Sequence, residues 1–304
     1  MANVFASLLP VFALIILGSL LKFSNMFPRT VWSGLENLVY WVLLPALLIV
    51  KLGNAPLDNF DVLPMGGAMA ASVILAVIGL CVIRSLFEIK QKSFTSVLQG
   101  AIRQNSYIGL AAAGPLYGVT GEALVAVCIA AVIPLVNVIS LWSLLKIGNS
   151  KKLGLIIAGK QLIKSPIIIG CSIGISANTS GIGVPIYLSE TLDLLGGGAL
   201  PLGLLSVGAG LNFMVFSRSP ILLIMSNSFK LILIPIITAL LCQLFEVDPV
   251  AKGVAVLFSA LPSSASSYVM ARQFGGDHEL MAGILTTQVM MAAITIPIVL
   301  NIFT

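Results

Sequence analysis

Arg103, Gln104, Asn105, Ser106 and Tyr107 occupy five consecutive positions inside a run otherwise written in Leu, Ile, Ala and Gly. A guanidinium is always charged, and its forked donors match the two oxygens of a carboxylate. Among apolar neighbours it is costly unless it faces a partner or water. A second polar stretch contains Pro262, Ser263, Ser264, Ser266 and Ser267. Its hydroxyls offer donors and acceptors, and Pro262 removes a backbone donor and disturbs the preceding turn. These residue types suit non-covalent recognition of an anion better than bond breaking. A serine nucleophile needs a nearby base, and the single histidine, His278, stands at the edge of an apolar run. No apolar run carries a central Asp, so a buried aspartyl pair is excluded, and one histidine cannot build a multi-histidine metal site. The chain is expected to be no enzyme and to need no cofactor.

Further polar residues interrupt apolar runs. Asn137, Asn212 and Gln288 either line a binding site or tie helices together. The serines of the second stretch have the same alternative, close packing through small side chains. Lys230 is expected to snorkel towards a surface on its long stem, with a place in the site as the other reading. His278, Asp277 and Glu279 are expected to cap a helix.

The elements that must position these groups are membrane helices. Of 304 residues, 58% are hydrophobic and 9% charged, against about 25% charged in soluble domains. About 20 apolar residues span the hydrocarbon core. Ten such segments are expected, near 3–21, 33–52, 64–86, 95–117, 121–145, 162–178, 186–211, 220–245, 249–271 and 279–302. The first is read as a retained span rather than a signal peptide. Residues 151–164 mix Lys with Leu and Ile and are expected to include an amphipathic surface stretch. Loops on one side, with their flanks, hold twelve Lys and Arg, and the other side holds Lys51 and Lys252. Basic loops stay inside, so both termini are expected outside. The net charge of +5 is dispersed, which excludes a nucleic-acid patch. Cys81, Cys128, Cys171 and Cys242 fall singly in apolar segments and read as small buried hydrophobes.

The chain also repeats itself. Pro10, Gly18, Pro45 and Pro64 match Pro166, Gly174, Pro201 and Pro220 at an offset of 156, and Pro28 matches Pro185 at 157. "YGVTGEAL" at 117–124 aligns with "FGGDHELM" at 274–281. Two halves, 1–150 and 151–304, would each hold five spans. An odd number inverts the second half in the membrane, a recurring device of secondary transporters. Adding 157 to Asn105 lands on Pro262, so the two polar stretches occupy equivalent places in spans four and nine. Unwound backbone is tolerated at depth only inside protein or beside a cavity. Paired breaks in inverted halves point to the substrate site, with helix N-terminal dipoles aimed at it.

Residues 103–109 (R-Q-N-S-Y-I-G), 261–265 (L-P-S-S-A), 275–280 (G-G-D-H-E-L) and 295–297 (T-I-P) together resemble the auxin efflux carrier family, which includes bacterial malate and malonate carriers. The resemblance covers essentially the whole chain. It implies an all-α membrane protein of ten helices as two inverted five-helix repeats, with helices four and nine broken and crossing at the midplane. It implies a bacterial inner-membrane carrier of small organic anions, with spans 1, 2, 6 and 7 as scaffold and spans 3–5 and 8–10 as an elevator-like transport unit, within a homodimer. Plant members carry a proline beside the span-four asparagine; here those positions are Gln104 and Ser106. The residues leave proton symport, sodium symport and uniport open. An anion channel or a sensor built on a carrier fold is the alternative function.

Overall fold

The computed structural model describes residues 2–55, 60, 62–147, 164–213 and 219–304. The amphipathic stretch expected at 151–164 falls, save for Lys164, outside the described residues. Among those described, all regular structure is helical. In chain order the helices are α1 (Ala2–Phe23), α2 (Arg29–Leu38), α3 (Leu44–Gly53), α4 (Val62–Phe87), α5 (Gln91–Ile102), α6 (Ser106–Leu145), α7 (Pro166–Thr179), α8 (Ile186–Gly197), α9 (Ala199–Gly210), α10 (Pro220–Ser228), α11 (Ile234–Leu244), α12 (Pro249–Ala260), α13 (Ser266–Gln273) and α14 (His278–Phe303). Wide π turns, Val39–Leu43 and Phe229–Leu233, join α2 to α3 and α10 to α11. Both precede a proline, Pro45 and Pro235. Proline lacks the N–H and crowds the carbonyl four residues back. The preceding turn therefore widens, and the Leu44 N–H reaches Val39 O while that of Ile234 reaches Phe229 O.

Among the described residues, seven helical runs are long and apolar enough to cross a membrane, where sequence alone suggested ten segments. The expected segments 95–117 and 121–145 fall within one run, Gln91–Leu145. The segments near 162–178 and 249–271 are represented by the shorter apolar helices Pro166–Thr179 and Pro249–Ala260. Hydropathy registers the composition of a stretch and is blind to where its helix stops. The chain is an all-α, multi-pass membrane protein.

Two compact units form. Unit 1 comprises Met1–Val62, Ser106–Ala130 and Ile163–Leu211. Its helices approach through glycine. A Cβ on Gly208 of α9 would collide with Ile15 O of α1, and one on Gly18 of α1 with Leu205 O of α9. Ser19 Oγ seals that contact by donating to Gly208 O at 2.8 Å. Gly174 of α7 also packs on α3, less tightly, where a Cβ would stand 3.1 Å from Ile49 O. Within α6 the chain turns at Gly118, with φ 67° and ψ −160°, a conformation essentially closed to other residues. Just beyond it, Glu122 pairs with Lys51 at 2.6 Å.

Unit 2 comprises Leu63–Asn105, Ala131–Leu162 and Asn212–Thr304. It holds α4, α5, the end of α6 and α10 to α14. Its interior contains many more hydrogen-bonding side chains, including buried Gln99, Arg103, Ser226, Asn227, Lys230, Ser263, Ser267, Thr286 and Gln288.

Candidate functional site

Two helices of unit 2 stop in its interior. α5 ends at Ile102, and Arg103 adopts an extended conformation, φ −85° and ψ 139°. α12 ends at Ala260, and Leu261 does the same with φ −63° and ψ 146°. A residue preceding proline is driven out of the helical region by the ring that follows, so Pro262 accounts for the second stop. Ser106 and Ser266 begin the next helices.

A helix end leaves N–H and C=O groups without intrahelical partners, and in a membrane interior each must be satisfied by protein. Here the two breaks satisfy each other. The Asn105 N–H donates to Pro262 O at 2.9 Å. The Gln288 carboxamide serves both: its Oε1 accepts from the Ser263 N–H at 2.9 Å and its Nε2 donates to Gly100 O at 3.0 Å. Ser263 Oγ reaches Gln99 O at 3.4 Å and Ser267 Oγ at 3.3 Å. One side chain from α14 therefore holds the end of α5 and the start of the α12–α13 break.

Arg103 is buried beside this joint. Its Nη1 donates to Asn137 Oδ1 at 2.8 Å and contacts Met270 Sδ at 3.2 Å, and its Nη2 donates to Ser266 Oγ at 2.9 Å. Ser264 Oγ lies 3.0 Å from Ser266 Oγ. These three contacts, all to neutral groups, fix the guanidinium plane.

Unit 2 thus brings together Arg103, Asn105, Asn137, Pro262, Ser263, Ser264, Ser266 and Gln288. Ser106 and Tyr107 belong to unit 1, where the Tyr107 ring faces Gly203. Asn212 N–H donates to Thr286 Oγ1 at 3.0 Å. Lys230 corrects the sequence reading. It does not snorkel: its side chain is fully buried in unit 2. It sits in the π turn, whose placement was invisible to a hydropathy profile.

Several contributors were missed. Ser226 donates to Val97 O at 3.3 Å and receives Gln288 Nε2 at 3.4 Å. Asn227 binds Thr287 at 3.0 Å, and buried Gln99 supplies a carbonyl to the joint. The signal was present as "SNS" at 226–228 and the lone Gln99, polar residues within apolar runs. A pocket of about 670 Å³ lies elsewhere in unit 2, lined among others by Lys90, Lys92, Lys146, Asp277 and His278. It opens at the N-terminal end of α5, away from the break at Ile102. There the Asp277 side chain caps α14 by accepting from the Leu280 N–H at 3.1 Å.

Paired helix breaks, mutually satisfied and flanked by a buried arginine, gather donors that suit non-covalent contact with an anion; among the described residues they include no nucleophile hydrogen-bonded to a base. Residues 149–300, half of the chain, match the family model described as "Membrane transport protein". A protein of Rhizobium meliloti (strain 1021) named "Putative malonate transporter" is 24% identical over 307 residues, covering 97% of this chain and 95% of its own length. The chain belongs to the membrane transport protein family of auxin efflux carriers, and it is a transporter rather than an enzyme.

Proposed function

We propose that the protein is a secondary-active carrier of small organic anions, carboxylates, working by alternating access with an elevator-like movement of unit 2. The carrying observation is the 2.9 Å bond from the Asn105 N–H to Pro262 O. These residues are 157 apart, the offset of the internal repeat, so the bond joins a position to its own equivalent. A contact between equivalents lies on a pseudo-two-fold axis. Inverted repeats place substrate at such an axis, between half-helix ends.

Ten spans in two inverted five-helix repeats are part of the same reading, and two further observations support them. Gly118 and Gly275, also 157 apart, both have positive φ, 67° and 75°. Gly18 meets Leu205 O, and Gly174 meets Ile49 O; each residue of the second pair is displaced by 156 from its equivalent in the first. Such reciprocal contact is what a two-fold relation imposes on a self-complementary interface. The named relative adds a carboxylate substrate to the picture.

In this reading Arg103 supplies the positive charge, oriented by Asn137 and Ser266. Asn105, Ser263 and Ser264 line the crossover, with Ser106 and Tyr107 just beyond it in the chain. The carrier acts as a homodimer in the bacterial inner membrane with both termini outside, and needs no cofactor. Purified protein in proteoliposomes should take up radiolabelled malonate saturably. Imposed pH or sodium gradients in the same assay report the coupling. Single-channel currents in place of saturable uptake would overturn the carrier reading.

A further inference from the structure

We infer that Lys230 prevents the unloaded carrier from resetting across the membrane, so that the protein works as an obligate exchanger of anions. The inference rests on the preceding reading, in which unit 2 carries the anion. Lys230 is fully buried, and its Nζ has no hydrogen-bond partner among the described residues. It stands in the π turn Phe229–Leu233, which packs on α5, α12 and α14 as well as on its flanking helices. It follows Ser226 by four residues, so the two side chains share a helix face. Long helical side chains lean back towards the N-terminus, which directs the Lys230 stem towards the turn carrying Ser226. Ser226 meets Gln288, the residue that ties the two breaks together. The cation therefore lies one helical turn from the crossover.

Among the described residues of unit 2, no acid lies near enough to neutralise it. The charged or titratable groups on α5, α12 and α14 are Lys92, Lys252, His278 and Glu279. Lys92, His278 and Glu279 are exposed and Lys252 is half-buried. On the flanking helices α10 and α11 the only such group is Cys242, and on α4, whose Gly79 faces the Phe229 ring, they are Cys81 and Arg84. Glu279 precedes Gln288 by nine residues, about 13 Å along the helix axis. The other acids of unit 2, Glu88, Glu246, Asp248 and Asp277, lie between helices.

A buried cation without a counter-charge is strongly resisted by a low-dielectric medium, and a bound anion removes most of that penalty. The loaded unit can therefore cross, while the empty unit is held back. Exchange is fast and net flux is slow.

The test uses proteoliposomes at clamped membrane potential, with radiolabelled malonate outside and malonate either present or absent inside. Wild-type exchange should exceed net uptake by about tenfold or more, the rate ratio that a modest barrier difference produces. Lys230→Met removes the charge and keeps an unbranched apolar stem, a replacement that folded proteins tolerate. Its net uptake should rise until the two fluxes are similar. Lys230→Arg should keep the wild-type ratio. Wild-type net uptake as fast as exchange would overturn the inference and leave the carrier reading intact, whether or not Lys230→Met folds. A monodisperse Lys230→Met protein with the wild-type ratio would overturn the role of Lys230. If wild-type protein moves no carboxylate in either mode, the carrier reading fails first and this inference fails with it.

Discussion

In unit 1, α1 and α9 touch backbone to backbone through Gly18 and Gly208, with one serine hydroxyl across the seam. In unit 2, α5 and the α12–α13 break meet through a carboxamide, a guanidinium and several hydroxyls. The first kind of contact gains mainly from dispersion, with a single side-chain hydrogen bond added. The second satisfies groups that would otherwise be orphaned, and its donors are of the kind that a carboxylate's oxygens accept from. On the function proposed above, the contrast fits a rigid unit 1 and a unit 2 that recognises the anion. It also explains why unit 2 tolerates two broken helices: each freed backbone group named above has a partner.

Gln288→Leu should break the comparison most severely. It leaves the Ser263 N–H and the Gly100 carbonyl unsatisfied, at about 1–3 kcal/mol each, and together about 2–6 kcal/mol. Thermal unfolding in detergent should show a large loss of stability, with transport abolished; a wild-type midpoint would mean that the carboxamide does not hold the joint. Next comes Arg103→Gln. Loss of charged hydrogen bonds costs about 1.5–3 kcal/mol, so carboxylate affinity of the monodisperse variant should fall roughly 10- to 150-fold. Arg103→Lys should retain part of it, because the charge stays while the fork is lost. Unchanged binding by folded Arg103→Gln protein would remove Arg103 from the anion site.

Smaller effects should come from unit 1, and these sharpen the contrast. Gly208→Ala forces α1 and α9 apart and should cost about 1–3 kcal/mol, the usual range for overpacking. Its signature is lowered stability with unchanged anion affinity, measured by calorimetric titration on the same preparation. Ser19→Ala removes one neutral hydrogen bond, about 0.5–1.5 kcal/mol, and should leave transport near wild type. A loss of affinity in either variant would show that unit 1 shapes the site.

The sequence by itself determined the membrane class, because too few charged residues are present to coat a globule in water. It also marked Arg103, Asn105, Pro262 and Ser263, because polar groups and a proline are conspicuous against Leu and Ile. The placement of helix breaks at 103–105 and 261–265 was readable from Pro262 and from the repeat offset. The partners were not. That Gln288 would reach both breaks, that Ser226 would join it, and that Lys230 would be buried one turn away depend on which helix faces which. Hydropathy cannot carry that information, since in a chain this apolar nearly every face of every helix reads alike. Tertiary packing decided it through the requirement that each freed N–H and C=O find a partner, which the packing of α5, α10, α12 and α14 supplies through Gln288 and Ser226.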